Sequence, residues 1–534
     1  MMRASHEGIL TDSYPVCRAQ LETEQWDRVV DLFKCDPELE RMPDNLERAA
    51  GRLGLPPHLP DLAKLENLVG EVKTNGQEPG AVDSLMINPT LQVLKLQWKG
   101  LASLLDGPST GSFLNLECAE SYAIVWKESA TGNVRTVEAT DEDLLVLKLM
   151  VEDKEPEEIS RENGLPLGTL DAIMERAVHR GILLRPPSRI RRDPSAFAAG
   201  PATEECFMVS PAFAVQWHIT QACDLHCKHC YDRSDRSPLK KEQAFQILDD
   251  LRSFCRSRYV KGHVTFTGGN PLLYPHFLEL YERAVQMGFG VSILGNPAPR
   301  KKIEQIVAVQ RPALFQTSLE GLAAHNDHIR GAGHFDRVLA FLDVLRQLEV
   351  ASIIMLTLTR ENIDQVLPLA EVLRDRADGF FFNRLSAVGE GARLALPSKE
   401  AFTAFLEQYH EATRDNPHLG LKDNLFNIIL DRSGEELFDG CSGYGCGAAF
   451  NFVAILSDGA VHACRKFPSP LGNIFEKNLS DIYDSPLARK YRAGCSACRS
   501  CRIRPVCGGC LAIAHSHGLD IFEERDPFCF LSAS

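Results

Sequence analysis

The chain has 534 residues, a formal net charge of −14, 44% hydrophobic and 24% charged residues. That length outgrows one hydrophobic core and predicts about three or four domains of ordinary globular composition. The acidic balance argues against a nucleic-acid binder, and no apolar run is long enough to span a membrane. The opening MMRASHEGILTDSYPV lacks the basic-then-apolar order of a signal peptide, so a cytoplasmic location is expected. There, seventeen cysteines would be reduced thiols, and clustered ones read as metal ligands rather than disulfides.

Residues 1–110 read as a helical module. Trp26, Val29, Val30 and Phe33 recur at helical spacing, as do Leu62, Leu65, Leu68 and Val72. No chemistry is visible there, and packing or docking is the expected role. In residues 111–190, YAIVWK (122–127) and VRTVEA (134–139) are strand-like runs joined at Thr131-Gly132-Asn133. Thr140 and Asp143 predict a capping box opening a helix to Met150. A short helix follows over Glu155–Asn163. Leu170, Ile173, Met174, Ala177 and Val178 then line a third, with Gly181 as its C-terminal cap. A hairpin followed by three helices resembles the winged-helix domain with which peptide-modifying enzymes hold a leader peptide. That resemblance implies a peptide strand added to the sheet edge. A DNA-binding winged helix and an inert structural module are the alternatives.

Arg185–Gly200 is Pro-rich and aperiodic, a linker placed in the domain division at 191–210. From 211 to 420 the pattern alternates strands with helices. Strands are expected at 213–220, 263–267, 290–294, 313–319, 353–358 and 379–385, and helices at Lys240–Cys255 and Phe335–Leu348. Six βα repeats imply an α/β fold whose parallel sheet curls into a partial barrel, with ligands at the strands' C-terminal ends.

The first strand delivers QACDLHCKHCYD, in which Cys223, Cys227 and Cys230 have the spacing C-x₃-C-x₂-C. Three thiolates on a four-iron cluster leave one iron open, the mark of a catalytic centre; a zinc knuckle is the alternative. This loop resembles that of the radical S-adenosylmethionine (SAM) enzymes, whose open iron chelates SAM. By that resemblance Gly268 and Gly269 stand in the family's Gly-Gly-Glu motif, with Asn270 in place of the glutamate that holds the SAM amino group. Two glycines suit close backbone approach to a ligand. QTSLEGLAAHNDHIRGAGHFDRVL (316–339) resembles a second segment of radical SAM peptide maturases. It implies Ser318 near the SAM carboxylate or ribose, Glu320 at an aspartate position, and Arg330 able to pair with a carboxylate. A helix-start salt bridge is the alternative for Arg330. His229 is expected to pack beside the adenine without ligating metal.

Residues 421–534 carry the second cysteine cluster, Cys441, Cys446, Cys464, Cys498, Cys501, Cys507, Cys510 and Cys529. It resembles the SPASM extension and implies two auxiliary [4Fe–4S] clusters. The family's interleaved order gives Cys441, Cys446, Cys464 and Cys510 to one cluster, and Cys498, Cys501, Cys507 and Cys529 to the other. Cys495 is a substitute ligand, since only Gly508-Gly509 separate the last pair. A zinc ribbon is the alternative. His515 and His517 are expected in a solvated loop. Cys17, Cys35, Cys118, Cys206 and Cys255 are expected to be ordinary buried thiols.

These resemblances imply an enzyme that cleaves SAM reductively to a 5′-deoxyadenosyl radical and modifies a ribosomally made precursor peptide. An electron donor such as a ferredoxin or flavodoxin is implied as a partner. The product is a thioether or carbon–carbon crosslink, or a thio(seleno)oxazole-type modification. A sulfatase-maturing formylglycine-forming enzyme and an iron–sulfur DNA-binding sensor are the alternatives. No spacing selects a catalytic base.

Overall fold

Six parallel strands organise the larger part of the chain: β1 (Ala212–Thr220), β2 (Lys261–Gly268), β3 (Gly290–Leu294), β4 (Phe315–Ser318), β5 (Ser352–Leu358) and β6 (Gly379–Arg384). The computed structural model describes residues 6–75, 78, 80–105, 116–197 and 204–531. It divides into two units, Met1–Pro186 and Pro187–Ser534. Each expected barrel strand forms within two residues of its sequence-based bounds. The expected helices appear as Lys241–Arg258 and His334–Gln347.

The sheet order is β6-β5-β4-β3-β2-β1, continued past β1 by β7 (Phe452–Ile455), β8 (Ala460–His462) and β9 (Pro470–Asn473). β7 pairs parallel to β1, with Phe452 opposite Ala214, while β8 and β9 are antiparallel. The cysteine-rich segment therefore extends the barrel's own sheet and covers the β1 edge, which would otherwise expose unpaired backbone. Along β1, Phe213, Val215, Trp217 and Ile219 are fully buried on alternate positions. Phe213 packs on Phe254 of the first crossover helix, and Trp217 stacks with Phe266 of β2. That apolar face directs the intervening positions and the strand's C-terminal loop toward the barrel interior.

In the first unit, helices Thr23–Cys35, Met42–Leu53 and Leu59–Thr74 precede a three-stranded antiparallel sheet, ordered Gln92–Leu96, Ser121–Lys127, Val134–Glu138. Helices Asp141–Val151, Pro156–Asn163 and Leu167–His179 follow. Thr140 and Asp143 form the capping box expected of them. Strand Ser121–Lys127 is buried on both faces. Ala123 and Val125 join the core of the N-terminal helices, while Ile124 and Trp126 join that of the three later helices. Sequence reading placed Gln92–Leu96 inside the helical stretch, which the structure corrects. QVLKL is short and its Val93 stays 46% exposed, so it carries too little alternation to declare a strand. Met86–Ile87 likewise pairs with Leu183–Leu184. No helix among the described residues is long and apolar enough to cross a membrane.

Candidate active site at the barrel mouth

The C-terminal ends of the six strands surround a cavity of about 310 Å³ bordered by Cys223, Cys227 and Cys230. Backbone bonds fasten the cysteine loop from several sides. Thr220 and Ala222 carbonyls accept from Gly269 and Asn270 N–H at 2.9 and 2.7 Å, Ile329 O accepts from Lys228 N–H, and Cys230 O accepts from Glu390 N–H. The two glycines are required here. A Cβ on Gly268, whose φ is +137°, would lie 2.2 Å from Thr220 O, and one on Gly269 would lie 2.3 Å from Ala222 O. The close approach that demands glycine is thus between β2 and the cysteine loop itself.

Gly268, Gly269, Ser318 and Arg330 border the same cavity as the three cysteines. Asn270 does not. It is 3% exposed, accepts from Leu272 N–H to cap a short helical turn, and donates to Asp224 Oδ1 at 3.0 Å. Asn296, which sequence reading missed, borders the cavity and donates to the same Asp224 oxygen at 2.6 Å. It lies two residues past β3, where the strand-end rule is the one signal that marks it.

Arg330 ends the helix Ala323–Arg330 rather than starting one. Its guanidinium donates to Glu320 Oε1 at 2.6 and 2.9 Å and faces Cys227 Sγ at 3.7 Å. Glu320 also accepts from Thr357 N–H at 2.8 Å. Burial alone would raise the Glu320 carboxyl, but His229 and Arg330 outweigh it and hold it below the usual range. His229 Nε2 sits 3.4 Å from both partners, and burial pushes its pKa down to about 4. Burial pushes the Cys227 thiol up, opposed by the Arg330 charge. A metal that takes the thiolate must displace that proton.

The other cysteines form two neighbourhoods. Cys441, Cys446, Cys464 and Cys510 together border a cavity of about 60 Å³. Burial pushes the Cys446 and Cys464 thiols up to about 12 and about 11. Cys498, Cys501 and Cys529 lie near enough to Cys507 to act on its charge, although burial is the larger influence. Cys495 is hydrogen-bonded to Cys498, which lowers the Cys495 thiol below its ordinary value. Four thiols grouped around one cavity fit the corners of a multi-iron cluster. Next to these groups, Arg384 at the end of β6 pairs with Asp423 at 2.7 Å and with Asp526 at 2.7 Å, all buried. Burial works against the Arg384 charge, yet the two carboxylates hold it above the ordinary range.

Two smaller expectations are corrected. His515 lies on the helix Leu511–Ser516 and packs against Phe467 rather than in a solvated loop. Cys17 and Cys255 are buried as expected, but Cys35, Cys118 and Cys206 are exposed.

A parallel half-barrel with a three-cysteine loop and paired glycines at its strand ends, extended by a cysteine-rich segment, defines a class of iron–sulfur enzyme. Residues 217–373 match the Radical SAM superfamily model, and residues 446–510 match SPASM, an iron–sulfur cluster-binding domain. The chain is 27% identical to an AdoMet-dependent heme synthase of Methanosarcina barkeri, over 59% of this chain and 95% of that protein. It is 28% identical to the mycofactocin maturase MftC of Mycobacterium tuberculosis, over 59% of this chain and 81% of that one. The crystal structure of Streptococcus suis SuiB bound to precursor peptide SuiA superposes with a TM-score of 0.51 at 18% identity, covering 77% of this chain and 96% of that one. That share exceeds the Pro187–Ser534 unit, so the likeness of fold reaches into the first unit. The chain thus carries a radical SAM domain and a SPASM domain, which imply one [4Fe–4S] cluster that takes SAM and auxiliary clusters in the SPASM segment.

Proposed function

We propose that this enzyme modifies a ribosomally made precursor peptide. Cys223, Cys227 and Cys230 would hold the SAM-binding cluster. Cys441, Cys446, Cys464 and Cys510 would hold one auxiliary cluster, and Cys498, Cys501, Cys507 and Cys529 the other. Bound and reduced by a ferredoxin- or flavodoxin-like donor, the first cluster supplies the electron that splits SAM and yields a 5′-deoxyadenosyl radical. The chain's own contribution is placement. Gly268 and Gly269 lock the cysteine loop onto β2, and Ser318 and Arg330 border the cofactor's space.

The observation that carries the peptide reading is the first unit's three-stranded sheet followed by three helices. Its outer strand Val134–Glu138 pairs on one side only among the described residues, an edge that an extended leader segment can join through backbone bonds. The maturase MftC and the peptide-bound SuiB add support by likeness. A sulfatase-maturing enzyme has no need of such a unit. The product is a crosslink or a thio(seleno)oxazole-type change, both of which begin with hydrogen removal.

The test is anaerobic incubation of the reconstituted enzyme with SAM, a strong reductant and the small peptide encoded beside its gene. Hydrogen loss from the peptide, matched by 5′-deoxyadenosine, is the expected result, and fragmentation then places the new bond. Deoxyadenosine with an unchanged peptide would overturn the substrate. Its absence from cluster-loaded protein would favour the iron–sulfur sensor instead.

A further inference from the structure

We infer that Arg465 and Lys466 form a carboxylate-recognition wall, so that the peptide segment entering the cavity carries an Asp, Glu or C-terminal carboxylate beside the reacting carbon. This rests on the peptide reading above. The two residues directly follow Cys464, and their loop runs across the barrel mouth. Ser386 Oγ, just beyond β6, donates to Lys466 O at 2.6 Å, while the Arg465 guanidinium reaches Thr267 Oγ1 of β2 at 3.4 Å. Both side chains border the cavity that holds the three-cysteine loop.

In a chain of net charge −14, this cavity is lined by cations. Asp232 is the carboxylate on its wall, and it is already engaged by Gln221, Ser234 and Arg236. The Arg330 and Arg384 charges are answered by Glu320 and by Asp423 and Asp526. Arg465, Lys466 and Arg233 form no ion pair among the described residues, but Arg233 donates to Cys227 O of the cysteine loop at 3.4 Å. Beyond Thr267, Arg465 touches the Tyr231 hydroxyl, and Lys466 Nζ reaches the Arg384 carbonyl at 3.5 Å. Half-buried cations without counter-charges are costly unless a ligand completes them.

At the mouth the cofactors leave no net charge: three thiolates on an oxidised [4Fe–4S] core sum to about one negative charge, and SAM, as sulfonium, ammonium and carboxylate, carries about one positive. A four-thiolate cluster on Cys464 would add about two negative charges on the Lys466 side, so Arg465, which does not border that cavity, is the cation left for a ligand. The guanidinium fork of Arg465 suits a carboxylate held in two places. Lys466 also borders the Cys441–Cys510 cavity, so Arg465 is the more selective probe.

The experiment uses cluster-loaded, unreduced enzyme saturated with SAM, and the peptide encoded beside its gene. Titration calorimetry compares that peptide with a series in which each Asp or Glu becomes Asn or Gln and the C-terminus is amidated, against wild type, R465Q and K466M. One peptide change should weaken binding to wild type about tenfold or more. R465Q should weaken the parent peptide similarly and lose sensitivity to that same change. After reduction, the R465Q enzyme should release more 5′-deoxyadenosine per modified peptide.

Indifference of wild type to every acid-to-amide change would overturn the inference. So would an R465Q loss that falls equally on SAM measured without peptide. The peptide variants leave the enzyme's folding untouched. If the wild-type enzyme neither binds nor modifies the parent peptide, it is the peptide reading that has failed.

Discussion

The barrel-mouth loop offers three thiols to one side of a space of about 310 Å³, with Cys223 exposed and Cys227 buried. Cys441, Cys446, Cys464 and Cys510 instead border a space of about 60 Å³, and burial pushes their Cys446 and Cys464 thiols far above the usual range. Three ligands and room leave a corner of the cluster for a second molecule. Four ligands and little room leave none. On the proposed ligand assignment, the same element would serve reaction in one place and architecture or electron transfer in the other, set by ligand count and enclosed volume.

Removing all three mouth thiols, as C223A/C227A/C230A, gives the largest expected effect. 5′-Deoxyadenosine production should vanish, while iron content falls from about twelve to about eight atoms per chain. If C446A instead abolished SAM cleavage completely while iron fell by about four, the division of labour between the two regions would be wrong.

G269A sharpens the comparison from the backbone side. Its Cβ would sit 2.3 Å from Ala222 O, so the cysteine loop must shift. SAM cleavage should fall about tenfold or more, since a misplacement of about 1 Å costs on that order or above. Circular dichroism should show an otherwise folded chain. Wild-type rates in G269A would mean that the loop is not held by β2.

R330M strands a buried Glu320, and a broken buried ion pair costs about 3–5 kcal/mol. Urea unfolding should register that loss, with R330K recovering part of it. A midpoint unchanged in R330M would show the pair to be idle.

The smallest expected effect concerns acid. His334 is 1% exposed, and burial lowers its pKa from 6.5 to about 4. The folded state therefore binds fewer protons than the unfolded state between those values. Stability from this group is complete above pH 6.5 and drains as pH falls toward about 4, by at most about 1.4 kcal/mol per pH unit. H334Q should flatten that slope in urea midpoints measured across the window. An identical slope would assign the acid sensitivity to other groups.

Local pattern made much of this legible. The barrel strands advertise themselves through β-branched and aromatic runs between helical segments, and the cysteines through spacing. Gly268 and Gly269 were legible as a close approach, though their neighbour is the cysteine loop's backbone. What escaped depends on distance in sequence. Asp224, Asn270 and Asn296 meet through folding alone, so Asn270 was read as facing the cofactor when it faces inward. Arg465 and Lys466 sit in an unremarkable RKF run, and only the β7–β9 extension of the sheet brings them to the mouth. Gln92–Leu96 escaped because its partner strand lies some thirty residues later, at Ser121–Lys127.

Asp526 receives the Arg384 guanidinium and also the backbone N–H of Cys510 and Phe528. A ribosome releases β6 and Arg384 well before it releases Asp526, Cys510 or Cys529. The barrel and its three-cysteine loop can thus emerge and collapse while Arg384 still lacks one of its counter-charges. Both auxiliary cysteine sets, each with a member at or beyond Cys510, must wait for that last stretch. Synthesis therefore presents Cys223, Cys227 and Cys230 together before either of the later cysteine sets is complete and before Asp526 can reach Arg384.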